Sequence, residues 1–195
     1  MSAPTGRRIV LSAAPLVDGI TSLRPWSDGD LPALAETGRD PDVTRWMGLP
    51  RQYRESDARA YLMSRYDGVH AGIRAPFAIV ATGGGELLGS IALAHFGWED
   101  RRGEVGYWLG GAARGRGHAT RAVRLICAWG FQALGLERIE LQAAVDNPAS
   151  QRVAERAGFT REAVLRSRWA TFGGERHDMV CFGLLAGDPI GPASA

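Results

Sequence analysis

Short alternating stretches of apolar and polar residues, separated by glycine clusters, fill the first part of the chain, and longer helical spacings fill the rest. ITSLRPW (20–26) reads as a strand. A helix follows in DGDLPALAETG, with Asp28 or Asp30 available as its cap and Pro32 in the first turn. DPDVTRWMG predicts another helical turn. ESDARAYLMSRYDGVH carries apolar residues at 58, 61, 62 and 66, with Ser56 as candidate cap. PFAIVAT and ELLGSIALAHF flank Gly83, Gly84 and Gly85, a hairpin signal, and EVGYWLG supplies the next strand after a turn at Arg101 to Gly103.

From Gly117 the period changes. Ala119, Ala122, Val123, Ile126, Cys127 and Phe131 recur at steps of three and four, and Gly135 ends the helix. RIELQAAV is a strand, NPASQRVAERAG a short helix ending at Gly158, and FTREAVLRSRW and RHDMVCFGLL are two further strands. Hairpin strands, a long helix, a strand, a helix and two strands predict one α/β (α+β) domain, a mixed, mostly antiparallel sheet flanked by helices. The expected division is an N-terminal arm at 1–19, a domain at 20–186 and a tail at 187–195.

Bulk composition narrows the function little. The chain has 195 residues and a formal net charge of +2, too small to argue for nucleic acid or a membrane surface as partner. All 23 basic residues are arginine, as a GC-rich coding bias produces. Cys127 and Cys181 sit in apolar runs and read as buried free thiols. The four histidines are scattered, without metal-ligand spacing, so no metal is expected. No apolar run approaches the roughly 20 residues that span a bilayer, and no cleavage-type leader is evident, which makes the cytoplasm the expected compartment.

The stretch that carries chemistry is EVGYWLGGAARGRGHAT (104–120). A Walker loop requires Lys followed by Ser or Thr, but Arg116 and Gly117 stand there. The dinucleotide fingerprint lacks its third glycine, since Thr120 occupies that position, and the loop follows hairpins rather than opening a βαβ unit. What remains is Arg114, Gly117 and Ala119 in a glycine-rich turn that opens a helix. Unpaired amides and the helix dipole favour an anion there, and glycine permits close backbone approach.

That R-x-x-G-x-A pattern resembles the pyrophosphate loop of the GNAT superfamily of acyl-CoA N-acyltransferases. NPASQRVAERAGF, with Asn147, Ser150, Val153, Glu155, Arg156, Gly158 and Phe159, is similar to the corresponding segment of its RimJ/RimL branch. EVGYWL, ahead of the loop, is the third matching block. The resemblance implies a sheet with a V-shaped splay between the fourth and fifth main strands, EVGYWL and IELQAAV, into which the pantetheine arm of acetyl-CoA inserts. Main-chain groups at Trp108, Leu109 and Gly110 would bind that arm. The amides of Arg116, Gly117, His118, Ala119 and Thr120 would hold the pyrophosphate. Arg114, Arg116 and Arg121 would offset its charge, while the His118 side chain would point outward.

For catalysis the resemblance points to Asn147 against the pantetheine or thioester, and to Ser150 as proton donor to the departing thiolate. A tyrosine that many GNAT enzymes use as acid is replaced here by Ala154. Asn147 alternatively caps its helix, and Ser150 is alternatively a solvated hydroxyl. Glu104 is the candidate base; its alternative is an ion pair with Arg101 or Arg102. The cysteines lack an activating neighbour, so transfer would be direct, within a ternary complex. The acceptor is a primary amine, on a protein N-terminus or on an antibiotic or polyamine; a larger acyl group such as succinyl and a non-catalytic acyl-CoA-binding module stay open. Trp46, Met47, Tyr53, Tyr61, Tyr66, Trp169, Phe172, Glu175 and Asp178 are candidate acceptor walls, with the local charge undecided. A homodimer is compatible with all of this.

Overall fold

A computed structural model of the chain describes residues 7–190 except 48, 51, 84, 172 and 173. Its eight strands are β1 (Leu16–Asp18), β2 (Thr21–Arg24), β3 (Arg74–Ala81), β4 (Leu87–Gly97), β5 (Arg102–Leu109), β6 (Arg138–Ala144), β7 (Thr160–Ala170) and β8 (Arg176–Leu185). They form one sheet in the order β1-β2-β3-β4-β5-β6-β8-β7. Every pairing is antiparallel except β5 with β6, as the hairpin-rich first half and the intervening helix predict. Among the described residues five α-helices flank it: α1 (Leu31–Thr37), α2 (Pro41–Met47), α3 (Glu55–His70), α4 (His118–Leu134) and α5 (Pro148–Ala157).

Strand alternation divides the core in two. Phe77, Ile79, Ile91, Leu93, Val105 and Leu141 point to the side covered by α4 and α5. Ala78, Val80 and Trp108 point the other way, against Leu34 of α1 and Ala58 and Leu62 of α3. On the first side the Phe77 and Trp129 rings meet edge to face at 5.2 Å. β1 lies within the segment expected to be an arm, and Ile9 from the same segment is buried in the core. The remainder of the expected arm and tail, 1–6 and 191–195, lies outside the described residues.

Helix ends follow local chemistry, with two corrections. Gly135 and Gly158 take left-handed conformations just past α4 and α5, where a side chain would be strained. Ser56 does not cap α3. The helix starts two residues earlier than that cap implies, at Glu55, and the Asp57 carboxylate accepts from the Arg54 amide at 2.8 Å, because a side chain at the third position reaches back over the first turn. Asp30 does not cap α1 with its side chain either. Its carboxylate accepts from Arg24 at 2.6 and 2.8 Å, and from the Ser27 amide at 2.9 Å. β7 is the edge strand at the end of the sheet opposite β1, and all of its residues except Trp169 are exposed. Its register with β8 slips twice.

Phe77 is fully buried, so Phe77→Ala should lower the unfolding free energy by about 3–5 kcal/mol. Chemical denaturation checks this; a loss below about 1 kcal/mol would contradict the packing described.

Candidate active site

β5 and β6 pair over only three residues, Arg102 with Arg138, Gly103 with Ile139 and Glu104 with Glu140. Beyond Glu104 the facing edges of the two strands have no ladder partner among the described residues. A cavity opens on each side of this gap. One, of about 750 Å³, lies over the face shared with α3. The other, of about 540 Å³, lies between the start of α4 and α5. Trp46, Tyr107, Trp108, Asn147 and Ser150 line both, so the splay joins them.

The smaller cavity is bounded by the glycine-rich loop. Gly115 and Gly117 adopt φ of +73° and +83°, and a Cβ on either would meet nothing within 4 Å. The chain therefore turns tightly while leaving open space in front of its backbone. Gly117 stands directly before α4. Among the described residues no hydrogen-bond acceptor is found for the amides of residues 115 to 120. Six donors, with the positive end of the α4 dipole, suit a di-anion such as a pyrophosphate. Arg152 and Arg156 of α5 also line this cavity. Sequence reasoning missed them, although their i, i+4 spacing puts both on one face of a helix.

Three basic side chains depart from expectation. Arg114 lines the cavity, but its guanidinium is engaged locally. Its guanidinium donates to Asp40 at 2.7 Å, to Asp42 at 2.6 Å and to the Leu109 carbonyl at 3.0 and 3.1 Å. Two carboxylates and a carbonyl outcompete an open loop for a five-donor fork, so Arg114 braces the loop. Arg121 is bound by Asp18 of β1 at 2.8 Å. His118 does not point outward: it is buried, with Nδ1 2.9 Å from Thr21 Oγ1. Burial, with Arg116 and Arg121 nearby, pushes its pKa down. Arg116 is exposed beside the loop, Ala119 is half-buried and Thr120 is buried.

Trp108 and Leu109 end β5 as buried residues. Trp108 donates through Nε1 to the Tyr61 hydroxyl at 3.2 Å, and the Gly110 amide bonds to the Leu88 carbonyl at 2.9 Å. At the junction of the cavities, Asn147 caps α5 by accepting the Ser150 amide at 3.1 Å. The cap uses its oxygen, which leaves its NH2 group as the end able to bind a ligand carbonyl. Ser150 Oγ lies 3.0 Å from the Tyr107 hydroxyl. Burial pushes the Tyr107 pKa up to about 12, so the phenol keeps its proton at neutral pH. The pairing with Tyr107 escaped the sequence, because 43 residues separate the two positions and nothing local links them.

Glu104 forms no ion pair with Arg101 or Arg102. Arg101 bonds to Glu137, and Arg102 lies 3.4 Å from Asp100. Glu104 instead faces the larger cavity and accepts from Gln142 at 3.2 Å. Burial, with Glu140 in register beside it, raises its pKa despite His95 and Arg168. Over the same cavity the Trp46 and Trp169 rings stack at 6.2 Å, and the His177 ring lies 5.5 Å from each. Of the expected acceptor walls, Met47, Tyr61 and Trp169 also line this cavity. Tyr53 is buried in the second core cluster, and Phe172 lies outside the described residues. Among the described residues no group of three or more His, Cys, Asp or Glu could hold a metal ion, and no helix is long and apolar enough to cross a membrane.

Comparison with known proteins bears on these cavities. The acetyltransferase (GNAT) domain family matches residues 21–160. YdaF of Bacillus subtilis (strain 168), named provisionally as a ribosomal N-acetyltransferase, is 31% identical over 154 residues, 79% of this chain and 72% of that protein. The ribosomal-protein-serine acetyltransferase of Escherichia coli (strain K12) is 33% identical over 81 residues, 42% of this chain and 45% of its own. The structure of RimL, a ribosomal L7/L12 α-N-protein acetyltransferase in complex with coenzyme A, superposes with a TM-score of 0.77. It covers 88% of this chain and 98% of that one at 20% identity. With a sheet splayed at the matching strands and a domain match across more than half its length, the chain belongs to the GNAT family of acyl-CoA-dependent acetyltransferases.

Proposed function

We propose that the protein moves an acetyl group from acetyl-CoA directly to the α-amine of a polypeptide. The observation that carries this reading is the pair of cavities on opposite faces of one sheet, meeting at Tyr107, Asn147 and Ser150. The coenzyme enters along α4 and α5, the amine from the α3 side, and the two meet in the splay. The names of the E. coli relative and of RimL support a protein amine as acceptor.

In this reading the free amides of residues 115 to 120 hold the pyrophosphate, and the unpaired edges of β5 and β6 bind the pantetheine amides as an extra strand would. The thioester supplies the activated acyl carbon. Asn147, fixed by its cap, offers its NH2 group to the arm or carbonyl. Glu104, kept less acidic by burial, accepts the proton that the amine loses on attack. Ser150 holds a proton where the sulfur leaves. The Tyr107 hydroxyl donates to Ser150 Oγ, which frees the serine proton for transfer and steadies the oxygen left behind.

Ser150→Ala should lower kcat by about 100-fold, while changing the Kd for coenzyme A less than about threefold. Tyr107→Phe should lower kcat by about 10-fold through the same oxygen. Thiol-release kinetics on a serine-starting peptide, beside titration calorimetry, measure both; an unchanged kcat in Ser150→Ala removes it from the mechanism. Gly117→Val strains a left-handed position and fills the open space, and should weaken coenzyme binding at least about 30-fold at a stability cost of about 1–3 kcal/mol. Retained affinity would refute the loop assignment.

Glu104 makes a pH prediction. Its raised pKa means the base form disappears at a higher pH than for an ordinary glutamate, so kcat falls as pH drops through that value. Glu104→Gln should flatten this acid limb. Its loss should be larger for an ε-amine of pKa about 10.4 than for an α-amine of pKa about 8, which is already partly neutral. Equal losses on both would argue against a base at Glu104.

A further inference from the structure

Building on the amine-transfer reading, we propose that the larger cavity selects polypeptide starts with an acidic side chain at the second or third residue. The floor of the cavity is flat because its residues are small. Ser90, Ala92 and Ala94 of β4 and Gly106 of β5 share the face, and a Cβ at Gly106 would meet nothing within 4 Å. An extended peptide can therefore lie across the strands there.

Charge on the walls is lopsided. Four arginines and two glutamates line the cavity. Two of these charges are answered locally, Glu140 by Arg138 at 2.9 Å and Arg102 by Asp100 at 3.4 Å. Three guanidinium groups, on Arg65, Arg74 and Arg168, then face one carboxylate, Glu104. Among the described residues none of the three forms an ion pair or hydrogen bond. Arg65 Nε is buried without a hydrogen-bond partner, and its guanidinium carbon lies 4.0 Å over the Tyr61 ring. The other N–H groups of each guanidinium are able to hold a carboxylate with two parallel hydrogen bonds.

Geometry sets the position. Arg74 of β3, Ala94 of β4 and Glu104 of β5 form one cross-strand row on this face. Neighbouring strands lie about 4.8 Å apart, which puts the Arg74 and Glu104 backbones about 10 Å apart. An extended peptide advances about 3.4 Å per residue, so an α-amine beside Glu104 sets its second and third residues about 3 and 7 Å along the row, within reach of the long Arg74 side chain. The same arginines repel polyamines and aminoglycosides, whose charged groups are all cationic.

Peptides that share a first serine and carry Asp-Glu, Ala-Ala or Arg-Arg at positions two and three test this by thiol release. The acidic peptide should exceed the neutral one by about 10-fold in kcat/KM, mostly through KM, and the basic one by about 100-fold, with both ratios shrinking at high salt. Arg74→Glu should reverse the order of the acidic and basic peptides, and Arg65→Gln should narrow it. Thermal melts and coenzyme A affinity establish that each variant is folded. Equal kcat/KM for the three peptides, or an order unaltered by Arg74→Glu and Arg168→Glu, overturns the charge selection and leaves the polypeptide reading standing. Turnover of spermidine or kanamycin with none of the peptides used overturns both.

Discussion

Three residue pairs hold β5 against β6, and everything functional in the molecule depends on the ladder stopping there. Had the parallel pairing run the full length of both strands, the sheet would be closed, with one buried core on each face and no passage between them. The divergence after Glu104 leaves backbone groups of both strands without strand partners, and sheets normally avoid that. Tyr107 and Trp108 sit on β5 at the gap, and α5 brings Asn147 and Ser150 to it from the far side. The cavities are thus a consequence of topology: a helix must follow β5 before the chain can return parallel to it, and the start of that helix bounds the smaller cavity.

Asp40 ties the two halves of the site together. Its carboxylate accepts the amides of Asp42 and Val43 at the start of α2, the Gly111 amide beyond β5, and the Arg114 guanidinium. Burial opposes its ionisation, but Arg114 and the Val43 and Asp42 amides prevail and hold its pKa below the usual carboxylate value. One charged group therefore fixes the helix carrying Trp46 against the loop that bounds the smaller cavity. The site is assembled from elements far apart in the chain, and its polar links are shared among them.

The order of elements, the caps at Gly135 and Gly158 and the loop before α4 were legible in the chain because each depends on short-range periodicity or on glycine at a required turn. The nearby side chains were harder to assign. Arg114 matched a phosphate-loop pattern, yet its partners Asp40 and Asp42 lie more than 70 positions away, and no local rule announces them. His118, in a loop, was expected to point outward; the buried hydroxyl that receives it belongs to β2. Tyr107 read as one more alternating strand residue. Whether such a residue packs or reacts is decided by what the fold sets beside it, here the hydroxyl of Ser150.

The outermost strand carries a different consequence. β7 presents eleven residues at the open border of the sheet, with Val164 and Leu165 uncovered. Such a border can template the addition of strands from other molecules. The two slips against β8 and the positive φ of Ser167 interrupt its straight run, and Arg161, Arg166 and Arg168 set like charges along it. A second copy laid along this border would find neither a continuous ladder nor neutral neighbours. Stacking of molecules border to border into fibres is thereby discouraged by the same guanidinium-rich composition that charges the interior of the cleft.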